Sequence, residues 1–170
     1  MLKHQMDNQN AAISQYADGP VQLNAALKGL TDYDLDLALT TDTWTIRQIV
    51  HHLVDGDDLW KTCIKAALGN NGGLFSLQWY WDKSQTEWAA SWKYANRPIQ
   101  PSLELFRANR QHMVELIQQI PNLGERSIRI KHPDIAEEQR ITIGFVLEMQ
   151  IDHLAEHIGE IRAIRQTHNL

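Results

Sequence analysis

His153 and His157 stand four residues apart in a stretch whose apolar residues recur at helical spacing. On a helix that separation puts both rings on one face, about one turn apart. Two imidazole nitrogens so placed can hold one divalent ion at about 2.0–2.1 Å. The spacing alone carries little information, because eight histidines in 170 residues generate an H-x-x-x-H by chance about 0.4 times. The helical face adds to it. Val146, Met149, His153, His157 and Ile164 follow one stripe, and Leu147, Ile151, Leu154, Ile158 and Ile161 follow the adjacent one, whereas Glu148, Asp152 and Glu156 lie outward. Inward imidazoles must be satisfied, either by a metal or by hydrogen bonds to carboxylates and water. Two hydrogen-bonded core histidines are the plain alternative.

A third ligand has to come from another helix, and His51-His52 offers two candidates. A helical projection separates them. His51 shares its face with Arg47, Asp55 and Asp58, which reads as a solvated stripe and makes His51 a surface residue or a support to the ligands. His52 lies with Ile49, Gly56, Leu59 and Cys63, nearer the apolar side, and is the expected ligand. Other chemistries find no motif. There is no H-E-x-x-H, since Leu154 follows His153, and no phosphate-binding G-x-x-x-x-G-K-[ST], C-x-x-C or G-x-S-x-G. Cys63 is the lone cysteine and sits among apolar residues, a packing position rather than a nucleophile.

The elements that must position these residues read as helices. The first periodic stretch covers roughly residues 3–30, with an interruption expected at Asp18-Gly19-Pro20 because proline disfavours helix in the residue before it. The second helix is expected from Thr43 or Trp44, capped by Thr41, Asp42 or Thr43, and stops at Gly69-Asn70-Asn71-Gly72-Gly73. An aromatic-rich segment follows, with a short helix over roughly 84–94. Pro101 suits the first turn of a third long helix, which runs to about Gln119. Ser127-Ile-Arg-Ile-Lys and Arg140-Ile-Thr-Ile alternate with period two around the His132-Pro133-Asp134 turn, so a small hairpin or ordered loop is expected there. The last helix covers roughly 143–167. Residues 1–170 thus form one all-α domain, a four-helix bundle with a long loop or small hairpin before its last helix.

Bulk properties fit that expectation. The chain is 43% hydrophobic and 22% charged, with no run near the roughly 18–20 apolar residues that span a bilayer. A net charge of −5 argues against a nucleic-acid partner, whose phosphates require Lys and Arg. The opening residues carry no apolar h-region and a single cysteine permits no internal disulfide, so the cytoplasm is the expected location.

At Trp44-Thr-Ile-Arg-Gln-Ile-Val-His-His-Leu-Val-Asp55 and at His153-Leu-Ala-Glu-His157 the sequence resembles the DinB-like superfamily, specifically its YfiT-like branch of metal-dependent hydrolases and bacillithiol S-transferases. Weaker matches lie at Lys131-His-Pro-Asp134 and at Pro20-Val-Gln-Leu-Asn-Ala-Ala-Leu. The segment 70–100 departs from the family pattern. The resemblance implies a four-helix bundle in which His52 joins His153 and His157 around Ni²⁺ or Zn²⁺, with water in open positions, and it implies a homodimer.

Three neutral imidazoles with an open position are the catalytic rather than the structural pattern of metal binding. Activated water would give hydrolysis of a small molecule, and an activated low-molecular-weight thiol would give S-transfer. Glu160 and Asp55, each about one turn past a histidine, are the candidates to orient a ligand or move a proton, and His132 is the candidate substrate contact. The alternative is a non-catalytic metal-binding helical dimer with a structural or regulatory role.

Overall fold

A computed structural model describes residues 2–135 and 137–170. Four long helices carry the fold: α1 (Leu2–Leu27), α2 (Ile46–Gly69), α5 (Gln100–Ile117) and α6 (Ile143–Thr167). Helices α1 and α2 each pack against both α5 and α6. Two short helices, α3 (Gln78–Trp81) and α4 (Gln85–Ser91), lie in the aromatic-rich segment. A small sheet closes the α6 entry. Strand β2 (Ser127–Ile130) pairs antiparallel with β3 (Gln139–Thr142), Ser127 facing Thr142, and parallel with the two-residue β1 (Leu74–Phe75). The hairpin and the 143–167 helix match the sequence expectation, whereas β1 carried no periodic signal at two residues long.

Two helix boundaries differ from expectation, each for a local reason. Helix α2 begins two to three residues later than expected, with Thr45 as N-cap. The Thr45 hydroxyl accepts from the Gln48 N–H at 3.3 Å, and the Gln48 side-chain oxygen Oε1 accepts from the Thr45 N–H at 2.9 Å, a reciprocal capping box. Thr43 is not free to cap, because its hydroxyl accepts from the Thr40 N–H and donates to the Thr40 carbonyl, both at 3.0 Å. Trp44 therefore precedes the helix.

Helix α1 is the second case. It runs through Pro20 without a break. Proline removes the donor that the Tyr16 carbonyl would receive four residues back. Arg110 of α5 replaces it, its Nη1 donating to the Tyr16 carbonyl at 2.9 Å. Gly19 permits the approach, since a Cβ there would overlap the Arg110 guanidinium and lie 2.9 Å from Leu154 Cδ2. The Gly-Pro pair is thus a port for a buried arginine. Arg110 also pairs through Nε with Asp57 at 3.0 Å, the two side chains 2% and 0% exposed.

Around this ion pair the core divides into two apolar clusters. Ile64, Met113, Ile117, Val146 and Leu147 fill the end near the sheet. Leu23, Ile46, Val50, Phe106, Leu154 and Ile161 fill the other. No helix among the described residues is long and apolar enough to cross a membrane.

Candidate metal centre

Packing of α2 against α6 brings His52 to His153 and His157. The Nε2 atoms of His52 and His153 are 2.9 Å apart, and those of His157 and His153 are 3.1 Å apart. One nitrogen from each ring lies within 4.8 Å of the other two. The rings meet edge to face, at interplanar angles of 79°, 79° and 80°, so the three nitrogens converge. Imidazole lone pairs repel at such distances unless a proton or a cation lies among them. An ion bound at about 2.0–2.1 Å with right angles between ligands would space their nitrogens about 2.9 Å apart, and about 3.3 Å with tetrahedral angles. The donor set and its spacing fit one divalent ion.

Burial, reinforced by the neighbouring imidazoles, holds His52 down at about 3 and His153 down at about 4. Both rings are neutral near pH 7, as ligation requires. The orientation of His157 is fixed from behind, where its Nδ1 lies 2.8 Å from Glu160 Oε2. A carboxylate accepts only, so Nδ1 carries the proton and Nε2 presents its lone pair to the cluster. That Glu160 sits three residues along the same helix makes this contact a direct product of the sequence spacing.

Trp44 walls the cluster. Its ring meets His52 edge-on at 4.6 Å and stacks over His157 at 6.5 Å. The Thr45 cap produces this placement by holding Trp44 before the helix rather than on its first turn. A cleft of about 270 Å³ opens beside it, lined by Leu39, Trp44, Ile49, His157, Glu160 and Ile164.

Other expectations resolve differently. His51 is fully buried, not on a solvated stripe. Its Nδ1 lies 2.9 Å from the Ser102 hydroxyl and its Nε2 3.1 Å from the Arg97 carbonyl. A carbonyl cannot donate, so Nε2 carries the proton and the Ser102 hydroxyl donates to Nδ1. Burial lowers the His51 pKa, and the ring is a neutral tie between α2, the 92–97 segment and α5. Arg47, on the same face, is buried as well, its Nε bonded to Asp36 at 2.6 Å and its Nη2 to Asp32 at 3.0 Å. The polar stripe of α2 is a set of tethers.

Asp55 faces Arg97, 3.4 Å away, and the Tyr94 hydroxyl rather than the histidine cluster. His132 packs on Trp81, ring centroids 4.6 Å apart, and accepts at Nδ1 from the Asp134 N–H. None of its contacts reaches the three histidines. Cys63 is buried with its thiol pushed up to about 12 by burial, consistent with packing alone. Sequence reasoning missed the Arg110–Asp57 pair and the capping role of Thr45. An aspartate among the apolar residues of α2 and the T-x-x-Q spacing at 45–48 were the available signals.

Comparison with known proteins agrees with this architecture. A protein of Oceanobacillus iheyensis named "Putative metal-dependent hydrolase" is 29% identical over 156 residues, covering 91% of this chain and 84% of its own. Proteins of the same name from Geobacillus thermodenitrificans and Bacillus cereus are 26% and 25% identical, each across 92% of this chain. The four-helix bundle of YfiT from Bacillus subtilis superposes with a TM-score of 0.79 at 21% identity, covering 94% of this chain and 87% of that one. The sequence profile of the DinB superfamily matches residues 15–161, and the chain belongs to that superfamily.

Proposed function

We propose that this chain is a metal-dependent hydrolase of a small molecule, with His52, His153 and His157 holding one divalent ion, Zn²⁺ or Ni²⁺. The convergence of three Nε2 atoms, two of the contacts at 2.9 and 3.1 Å, carries the reading. The names of the relatives support its hydrolytic half. A bound ion would supply Lewis acidity, which would lower the pKa of a water or a thiol.

The chain's own residues do the rest. His52 and His153, kept neutral by burial, offer lone pairs without a competing proton at pH 7. Glu160 holds the His157 tautomer and, on the rim of the Trp44 cleft, can accept a proton there. Trp44 excludes water from one side of the cluster. A thiol co-substrate, a homodimer and a cytoplasmic location belong to the same proposal and rest on the family resemblance and composition. Asp55 and His132 have no role at the cluster in it.

The test is a panel of small esters and amides, and of electrophiles with a low-molecular-weight thiol, assayed before and after chelation. Hydrolysis lost with chelator and restored by Zn²⁺ or Ni²⁺ supports the reading. Turnover only when thiol is present moves it to S-transfer. A chain that binds metal and turns over neither class is the non-catalytic binding protein.

A further inference from the structure

A second cleft, of about 650 Å³, lies on the neighbouring face of α2 and has no part in the reading above. Asp55 is three residues past His52, so it points roughly 60° around the helix from the histidine cluster. Asp55 and Asp58 line the cleft from α2, Phe75, Trp79 and Trp92 wall it, and Arg97 closes one side. Its size falls in the range of small-molecule sites.

The walls are largely aromatic. Trp92 packs on Trp88 at 4.7 Å and Trp88 on Trp79 at 5.6 Å, forming one aromatic cluster. The Lys83 ammonium already rests over the Trp88 ring, 5.0 Å from its centroid. Aromatic faces carry negative potential and attract cations. The carboxylates divide the remaining work. Arg97 leans on Asp55 at 3.4 Å, and Lys61 and Asn109 both bond Oδ1 of Asp58. Among the described residues no hydrogen bond reaches Asp58 Oδ2, and that side chain is 46% exposed. One oxygen of a carboxylate whose other oxygen pairs with Lys61 is thus left without a hydrogen bond among the described residues, in a cleft lined by two indole rings.

We infer that this cleft binds a small organic ammonium ion, its charged nitrogen held by Asp58 and the faces of Trp79 and Trp92. Arg97, whose Nε and Nη2 make no hydrogen bond among the described residues, can meet an oxygen on the same ligand. The site is independent of the metal.

Three probes of one shape and different charge test it: choline, the neutral 3,3-dimethylbutan-1-ol and the anionic 3,3-dimethylbutanoate. Binding is followed by ligand-observed NMR titration at low salt. Choline is expected to saturate in about the millimolar range and to bind about tenfold tighter than either analogue. Trp79→Ala, at a ring already 53% exposed, and Asp58→Asn, which keeps an oxygen for Asn109, should each weaken choline about three- to tenfold. Chelator should leave its affinity unchanged. Equal binding of the neutral analogue, tighter binding of the anion, no saturation by choline, or loss of its binding with chelator would each overturn the inference.

Discussion

Arg110 donates to the Tyr16 carbonyl at 2.9 Å, the carbonyl that Pro20 leaves without its helical donor. The same guanidinium stacks on the Tyr16 ring at 4.2 Å, pairs with Asp57 and donates to the Gln150 carbonyl at 3.3 Å. One side chain from α5 thereby ties α1, α2 and α6 together. Removing it leaves a buried carboxylate and an orphaned carbonyl. Arg110→Leu should cost about 3–5 kcal/mol in urea unfolding. Pairing it with Asp57→Leu should recover part of that loss, because the uncompensated charge goes too.

Gly19 gives a sharper version of the same test. By propensity alone, alanine in a helix interior gains roughly 0.5–1 kcal/mol over glycine. Here the added Cβ would overlap Arg110 and press on Leu154. Gly19→Ala should therefore destabilise the protein by about 1–3 kcal/mol by the same unfolding measurement. A gain in stability would show that the close approach of Arg110 does not constrain the helix.

His51 and His52 are neighbours with opposite expected phenotypes. His51→Ala deletes one buried and one half-buried hydrogen bond and should cost about 2–3 kcal/mol while metal stoichiometry is retained. Unfolding curves and metal analysis on one preparation separate the two effects.

These residues show where the sequence was legible. The four long helices, the hairpin before α6 and the α6 limits followed from periodicity, because each element is long or strictly alternating. His52 could be chosen over His51 because apolar neighbours turn it toward α6. The burial of His51 and Arg47 was not readable, since their partners (Ser102, Arg97, Asp32, Asp36) lie on segments whose placement depends on the tertiary fold. The apparent break at Gly19-Pro20 failed for the same reason, a donor supplied from 94 positions along the chain.

The depressed histidines predict an acid-sensitive metal-free protein. His52 and His153, at about 3 and about 4 against an ordinary 6.5, bind protons less readily folded than unfolded. Their contribution to stability is complete above the unfolded value and is lost as pH falls from 6.5 toward 3. In chelator, stability should fall below pH 6 by about 1.4 kcal/mol per pH unit for each such histidine. His52→Gln should show a shallower slope over the same window. Equal slopes would contradict the assignment of the acid loss to His52.

Glu160 Oε2 lies 2.8 Å from His157 Nδ1, on the far side of that ring from the cluster. Glu160→Ala releases the Nδ1 contact and should weaken divalent-ion affinity about 10- to 100-fold with little change in fold. Glu160→Gln, which can still accept through its amide oxygen, should fall between wild type and alanine in a competition titration with a metal indicator.

The central claim is that three histidines hold one ion. The most direct measurement is elemental analysis of Zn and Ni in untreated protein, followed by equilibrium titration of the chelated wild type and four variants. The wild type should bind about one ion per chain, His51→Ala the same, and His52→Ala, His153→Ala and His157→Ala about tenfold less tightly or worse. Wild-type affinity in those last three variants would contradict the account.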